Sequence, residues 1–348
     1  MSLDSPTVTV LMSVYNGEKF LAGAVESILN QTYRDFEFII IDDGSTDGTS
    51  VILARCQQMD NRIHVYNQEN QGLIASLNRG CKLAKGKYIA RMDADDISMP
   101  ERLAKQVQYM ESHPEIGVLG TWIQWIDENS KPGRSLHPPT APGTIGWFLI
   151  FENCLAHPSV VMRADVIKTL GFYHREAIHA EDYELWTRVI AFSIIANIPE
   201  TLLQLRVWDG SISSCHSQTQ ELTVVKASHE MIRRLLGPEV SAEAAVSLHQ
   251  VVMGQSLVNH QQIEQAASLI RRLYRAYLNT SSLNRMEARE VAHDAGKKLY
   301  TLAWMSRRIS IWKSFAILID GLKLNHHLLA TLFTDIIAKV KSTLMVRG

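Results

Sequence analysis

The chain has 348 residues, of which 46% are hydrophobic and 20% charged, a composition typical of globular proteins and a length sufficient for two domains. The formal net charge of −1 provides no overall basic field that would attract nucleic acid. Four scattered cysteines without a CxxC pair indicate neither a disulfide framework nor a zinc site, and they favour a reducing compartment. Without a signal region or a long uncharged apolar run, we expect a cytoplasmic chain that does not span a membrane.

Strands and helices alternate through the first hundred residues. The segment 7–17 is a β-branched strand ending in a turn, and 18–31 has the apolar spacing of a helix. Further strands are predicted from 35 and from 62, and further helices over 50–58 and 72–85. Such alternation predicts βαβ units and a mainly parallel sheet.

Acidic residues follow two of these strands. Asp42 and Asp43 end the second strand, and Asp93, Asp95 and Asp96 end the strand that begins near Lys87. Ligands of open α/β sheets bind beyond the carboxyl ends of the strands, and carboxylate oxygens suit Mg²⁺ or Mn²⁺. The alternative is a pair of acidic turns that cap the following segments.

Five segments in one order resemble family 2 of the glycosyltransferases, the inverting enzymes of GT-A fold. They are VLMSVYNG (10–17), QTYRDFEFIIIDDGSTDGT (31–49), NQGLIASLNRG (70–80), GKYIARMDADDISMPERL (86–103) and EDYELW (181–186). With HPSVVMR (157–163), the resemblance covers about residues 7–210. It implies a Rossmann-like GT-A catalytic domain that binds a nucleotide-sugar.

The resemblance also implies roles for the strand-end residues. Asp93-Ala94-Asp95 matches the family's DxD sequence, with Asp95 as the ligand of Mn²⁺ or Mg²⁺ and Asp93 at the ribose or the metal. Ser13, Tyr15 and Asp43 match the nucleotide pocket, where Tyr15 could stack on the base and Asp43 accept a base N–H. The alternatives are a packed aromatic at Tyr15 and, for the acidic pair, capping of the Gly44-Ser45 turn, which we expect of Asp42.

The general base and the acceptor side are predicted near the sequence EDYELW. Asp182 matches the family's general base, and Glu181 and Trp186 are weaker candidates for contacts with the acceptor. The alternatives are two acids that simply favour a helix N-terminus and a tryptophan that belongs to the core. Family members often carry a metal-binding His after this helix. Here Trp208 stands near that place and His216 lies further on, so no third protein ligand is assigned.

We therefore expect a catalytic domain over 1–220, with a nucleotide-sugar half over about 7–112 and an acceptor half over about 113–220. A helical region should follow over 221–348. Residues 297–348 contain nine Lys or Arg and two acids, a net charge of +7, together with Trp304 and Trp312. This tail is suited to peripheral contact with the inner face of an anionic membrane. The alternative is a helical bundle whose basic face is solvated.

These observations predict metal-dependent transfer of a sugar, from a UDP-sugar by preference, to a glycan or lipid-linked acceptor in surface polysaccharide synthesis. The alternative is a catalytically inactive relative that binds nucleotide or acts as a scaffold. A dinucleotide-dependent oxidoreductase is disfavoured because the first turn, SVYNGEK, lacks GxGxxG. A nucleotidyltransferase is disfavoured because the same turn lacks a Gly-rich, Arg-containing loop.

Overall fold

The structure is a computed structural model that describes residues 5–208, 217–252, 259–306 and 311–324. The chain divides into two compact units, Met1–Ala227 and Ser228–Gly348. The first unit contains every strand of the described residues, and the second is helical. The assignment of catalytic and acceptor halves within the first unit stays a prediction.

The first part of unit one has the alternation that the sequence predicts. Its strands are buried because they are runs of β-branched and aromatic residues covered on both faces, as in parallel sheets. The elements are β1 (Val8–Val14), α1 (Leu21–Leu29), β2 (Phe36–Asp42), α2 (Thr49–Met59), β3 (Ile63–Asn67), α3 (Leu73–Leu83) and β4 (Tyr88–Asp93).

Shorter and mixed elements complete the first unit. They are β5 (Ile97–Ser98), α4 (Arg102–Ser112), β6 (Ile116–Ile126), β7 (Pro132–Leu136), α5 (Pro142–Phe148), β8 (Val161–Arg163), α6 (Ala164–Thr169), α7 (Glu181–Val189) and β9 (Ile194–Arg206). A 3₁₀ turn, His157–Ser159, precedes β8.

All nine strands form one sheet with the order β3-β2-β1-β4-β8-β6-β9-β5, and β7 pairs with β6. The pairs among β1 to β4 are parallel, whereas β8 is antiparallel to both β4 and β6. The α/β prediction is thus confirmed, and the second half of the sheet is mixed, because β6 and β9 pair in parallel whereas the pairs made by β5, β7 and β8 are antiparallel. The strand order reverses between β1 and β4, and this is where α/β sheets bind ligands.

The second unit and the segment leading to it consist of helices. They are α8 (Ser217–Leu236), α9 (Ala242–Val252), α10 (His260–Thr280), α11 (Arg285–Ser306) and α12 (Ile311–Leu324). A capping box, in which Asn259 and Gln262 exchange hydrogen bonds, begins α10. No helix within the described ranges is long and apolar enough to cross a membrane.

The start of α4 corrects one expectation. The sequence Ser98-Met99-Pro100-Glu101 predicts a capping box, but Ser98 lies in β5 and is buried. The amide of Gln31 takes the capping role instead. Its Oε1 accepts from Leu103 N at 3.0 Å, and its Nε2 donates to Met99 O at 2.7 Å and to Ser98 Oγ at 3.1 Å. A residue beyond the end of α1 thus satisfies the orphan N–H at the start of α4.

We predict that Gln31→Ala destabilises the first unit by about 2–3 kcal/mol, because it leaves buried donors and acceptors without partners. The measurement is the urea midpoint followed by circular dichroism. Gln57→Ala, at an exposed position of α2, is the matched control and should leave the midpoint unchanged. Equal midpoints for both variants would contradict the capping role of Gln31.

Candidate active site

Two loops at the carboxyl edge of the sheet are joined by hydrogen bonds. Asn16, which has a φ of 52°, accepts from Thr46 N at 2.8 Å through Oδ1 and donates its own N–H to Ser45 Oγ at 3.0 Å. Gly17 N donates to Thr49 Oγ1 at 2.8 Å. These contacts fix the loop after β1 against the loop after β2, so the two strand ends form one rigid surface.

The nucleotide-pocket candidates lie on this surface in different environments. Ser13 is half-buried and lies in register with Asp93 across the β1–β4 pair. Tyr15 follows the end of β1 and is 53% exposed, so it is not the packed aromatic of the alternative interpretation. A ring in this position is available to a ligand above the strand ends.

The two acids at the end of β2 accept hydrogen bonds from different partners. Asp42 Oδ1 accepts from Ser45 N at 3.0 Å and so caps the turn as predicted, while Gly44 supplies its left-handed φ of 78°. Asp43 is 2% exposed, and its carboxylate accepts from Gln71 N at 2.9 Å, from Gly72 N at 2.8 Å and from Gln68 Nε2 at 2.7 Å. Asp43 therefore holds the loop that begins α3.

Three carboxylates meet at the end of β4. One oxygen from each of Asp93, Asp95 and Asp96 lies within 4.8 Å of the others. Asp93 and Asp95 are half-buried, and Asp96 is buried. Burial raises the pKa of Asp95, and the Asp93 charge raises it further. Burial, followed by repulsion from Asp93 and Asp95, raises the pKa of Asp96 well above its usual value.

A buried arginine partly compensates this negative charge. Arg91 lies two residues before Asp93 on the same face of β4, and its guanidinium pairs with the Asp93 carboxylate. Burial alone would lower the pKa of Arg91, but the neighbouring Asp93 outweighs burial and the pKa is raised. The same cation opposes the upward pKa shifts of Asp95, Asp96, Glu181 and Asp182.

The end of β9 holds the acidic turn from the other side. Arg206 Nε donates to Asp95 O at 2.8 Å, and Arg206 N donates to Asp96 Oδ1 at 2.8 Å. Trp208 Nε1 donates to Asp95 Oδ2 at 2.9 Å. The Trp208 ring packs edge-on against Phe20 at 5.3 Å, so the indole is itself supported. Trp208, for which no ligand role was assigned, thus contacts Asp95 as a hydrogen-bond donor, and His216 lies outside the described residues.

The predicted base lies in the first turn of α7. Asp182 Oδ1 accepts from Tyr183 N at 2.6 Å, and Asp182 Oδ2 accepts from Asn153 Nδ2 at 2.8 Å. Burial raises the pKa of Asp182, while these two donors oppose the shift. Burial, with a further contribution from Asp182, raises the pKa of Glu181 to about 7. Two adjacent acids with different environments are suited to proton transfer near neutral pH.

Trp186 is fully buried, with its ring edge-on to His157 at 6.0 Å between centroids. Its assignment as an acceptor contact is therefore wrong in this conformation, and the core interpretation holds. His157 is also buried, with Nε2 2.8 Å from Tyr173 Oη. Burial, assisted by the Arg91 charge, lowers the pKa of His157 well below its usual value, which favours a neutral imidazole.

Sequence reasoning missed several residues that support the site: Arg91, Asn153, His157, Tyr173 and Arg206. Arg91 had one local signal, because a charged side chain within an otherwise apolar strand requires a partner when it is buried. The contacts of Asn153 and Arg206 join segments that are far apart in the chain, so no local spacing predicts them.

Comparisons with known proteins identify the family. Residues 9–171 match the family described as Glycosyl transferase family 2. The O-antigen biosynthesis glycosyltransferase WbnJ of Escherichia coli is 38% identical over 210 residues, 59% of this chain and 81% of that protein. The chain belongs to glycosyltransferase family 2, and it is a glycosyltransferase.

Solved structures show the same fold at low sequence identity. TarS 1-349 of S. aureus, in complex with UDP-GlcNAc, gives a TM-score of 0.56 at 16% identity over 93% of this chain and 92% of that chain. The mannosyltransferase PcManGT of Pyrobaculum calidifontis, in complex with GDP-Man and Mn²⁺, gives 0.52 at 18% identity over 93% and 88%. These similarities support the predicted GT-A architecture.

The raised pKa of Glu181 predicts a pH-dependent stability. The folded protein holds this proton up to about pH 7, whereas the unfolded chain releases it near 4.5. The stability contributed by the neutral acid is therefore complete below pH 4.5 and is lost as the pH rises through about 7. Glu181→Gln mimics the neutral acid and should have a higher Tm than the wild type at pH 8, but an equal Tm at pH 4.

Scanning fluorimetry between pH 4 and pH 8 measures this difference, which should amount to several degrees at about 2–4 °C for each kcal/mol. The exposed Glu176→Gln is the matched control. A constant difference between Glu181→Gln and the wild type across this range would show that Glu181 titrates normally.

Proposed function

We propose that this glycosyltransferase is an inverting, metal-dependent enzyme that transfers a sugar from a nucleotide-diphosphate sugar to an acceptor hydroxyl. The observation that supports the proposal best is the group of three carboxylates at the strand-order reversal, within 4.8 Å of one another. A UDP-sugar is the favoured donor, in keeping with the complex of TarS, a protein of this fold, with UDP-GlcNAc.

The residues at the end of β4 fit a divalent cation. Their oxygen ligands are those that Mg²⁺ and Mn²⁺ prefer. The second oxygen of Asp96, Oδ2, is buried and has no hydrogen-bond partner. We assign Asp95 as the principal ligand and Asp93 as a second ligand or a ribose contact, since Asp93 also pairs with Arg91. When bound, such an ion would stabilise the negative charge of the departing diphosphate.

The nucleotide would lie over the ends of β1 and β2, in a half of the first unit that covers about 7–112. Tyr15 offers an exposed ring face for stacking on the base, and Ser13 lies beside Asp93 at the strand edge. Asp43 has three protein donors, but an ionised carboxylate can accept about four hydrogen bonds. Asp43 is therefore proposed to shape the pocket and to retain one acceptor site for a base N–H.

Asp182 is proposed as the general base. Its carboxylate would take the proton of the acceptor hydroxyl while that oxygen bonds to the anomeric carbon and the bond to the diphosphate breaks, with the electron pair leaving on the diphosphate. Attack from the face opposite the leaving group inverts the configuration. Glu181, beside it, is proposed as a weak acceptor contact within the half that covers about 113–220.

The acceptor is proposed to be a glycan or a lipid-linked saccharide of a surface polysaccharide, consistent with a relative named for O-antigen biosynthesis. Of the basic tail over 297–348, only the helical segments within α11 and α12 are described, and Trp304 is 42% exposed. Peripheral contact of this tail with the inner face of an anionic membrane is proposed on its charge.

We predict that Asp95→Ala abolishes metal-dependent donor binding. In the wild type, UDP-GlcNAc with Mn²⁺ should raise the Tm, since a ligand at about 100 times its Kd adds roughly 2.7 kcal/mol. UDP-glucose, GDP-mannose and dTDP-glucose, with Mn²⁺ or Mg²⁺, complete the panel. The Tm of Asp95→Ala should not respond, while the exposed Asp165→Ala control should respond like the wild type. A full response of Asp95→Ala would refute the metal assignment.

We predict that Asp182→Asn binds the donor with wild-type affinity but turns it over about 10²–10⁴-fold more slowly, as expected for loss of a general base. Calorimetric titration with UDP-GlcNAc and Mn²⁺ measures binding, and release of UDP by hydrolysis measures turnover. Loss of donor binding together with activity would instead indicate that Asp182 has a structural role. Donor binding without turnover by the wild type would favour the inactive nucleotide-binding alternative.

A further inference from the structure

Asn153 is an exposed side chain on a loop that becomes buried directly after it. The loop follows α5, and Cys154 and Leu155 directly after Asn153 are buried. Tyr183 Oη, from the first turn of α7, donates to Leu149 O of the same loop at 2.7 Å. The loop and the start of α7 are therefore joined by the phenol of Tyr183 as well as by the side chain of Asn153.

The orientation of the Asn153 amide is determined by its two contacts. Its Oδ1 accepts from Leu155 N at 3.1 Å, so that end of the amide must be the oxygen. The Nδ2 group then points to Asp182 Oδ2 at 2.8 Å and must donate. Because the opposite oxygen, Asp182 Oδ1, accepts from Tyr183 N, the carboxylate is held at both oxygens.

Two donors leave free lone pairs on each oxygen of Asp182, so the carboxylate remains able to accept a proton. Rotation about the Cβ–Cγ bond of Asp182, however, would break both hydrogen bonds. The titratable groups that act on this site are Glu181 beside Asp182, Arg91 and Asp93 from β4, and the phenol of Tyr173. The amide of Asn153 supplies a side-chain hydrogen bond to Asp182 from a different segment of the chain.

We propose that Asn153 is a positioning residue for the general base, which fixes the plane of the Asp182 carboxylate through its amide N–H and favours the ionised form. This inference rests on the proposed role of Asp182. Asn153 acts through Asp182 and need not touch the donor. Donor affinity should therefore be independent of Asn153, whereas turnover and its pH dependence should not.

Two variants separate the two contacts of Asn153. Asn153→Asp keeps the oxygen that accepts from Leu155 N, but it replaces the donor with a second carboxylate that faces Asp182. Asn153→Ala removes both contacts. The exposed Asn61→Ala, in the turn after α2, is the matched control. Circular dichroism and Tm values first establish that all variants are folded, and Asn153→Asp preserves the loop contact if Asn153→Ala is unstable.

The first measurement needs no substrate. Carboxyl ¹³C NMR of protein labelled at aspartate, with the Asp182 signal identified from its absence in Asp182→Asn, follows the ionisation of Asp182 against pH. Loss of the donor should move this titration upward by about one pH unit in Asn153→Ala and further in Asn153→Asp, because the hydrogen bond stabilises the charged form. An Asp182 titration that is identical in the wild type and both variants would overturn the proposal.

The second measurement is UDP release from UDP-GlcNAc with Mn²⁺. Asn153→Ala should lower kcat by about ten- to hundredfold at neutral pH, with the donor Kd unchanged and the acid limb of the pH profile moved upward. In Asp182→Asn, the further change Asn153→Ala should have no effect on turnover, because no carboxylate base remains to be positioned. An equal loss on both backgrounds would overturn the inference while leaving Asp182 as base. Wild-type turnover of Asp182→Asn would refute the proposed base itself, and the positioning role with it.

Discussion

The active site is constrained by the concentration of negative charge at one edge of a sheet. Five carboxylates, from the end of β4 and the start of α7, share a partly buried environment with the guanidinium of Arg91. Burial disfavours the ionised form of such groups. The buried Arg91 cation favours it, both at the end of β4 and at the start of α7. The raised pKa values of Glu181 and Asp96 indicate that this compensation is incomplete, which is the condition under which a divalent cation or a proton binds well.

Long-range hydrogen bonds hold these carboxylates in a fixed geometry. The donors are groups from distant segments: the amide of Asn153, the guanidinium of Arg206 and the indole of Trp208. Each donor is itself held in place. The Asn153 amide accepts from a backbone N–H, the Arg206 guanidinium donates to a backbone carbonyl, and the Trp208 indole packs against an aromatic ring. Preorganised donors of this kind avoid rearrangement during reaction, which is the main physical advantage of an enzyme site over water.

Sequence patterns predicted the elements well where burial imposes a local period, as in the β-branched strands and the acids at their ends. They failed where a distant residue decides the local contact. The helix cap expected from Ser98 comes from Gln31, and the indole of Trp186 packs in the core instead of facing an acceptor. The hydrogen bond from Trp208 to Asp95 depends on the return of the chain along β9, 113 residues later, which no single window of sequence contains. The ion pair of Arg91 with Asp93, by contrast, joins two residues of one strand.

The anchoring of the acidic turn has a consequence for biosynthesis and for recombination of the protein. Asp95 is held by Arg206 and Trp208, which follow it by 111 and 113 residues. A nascent chain on the ribosome therefore displays the acids long before it has made the strand that orients them. Likewise, a chimera that joins the first half of this sheet to the second half of another enzyme inherits the carboxylates without their anchor, unless the last residues of β9 are transferred with them.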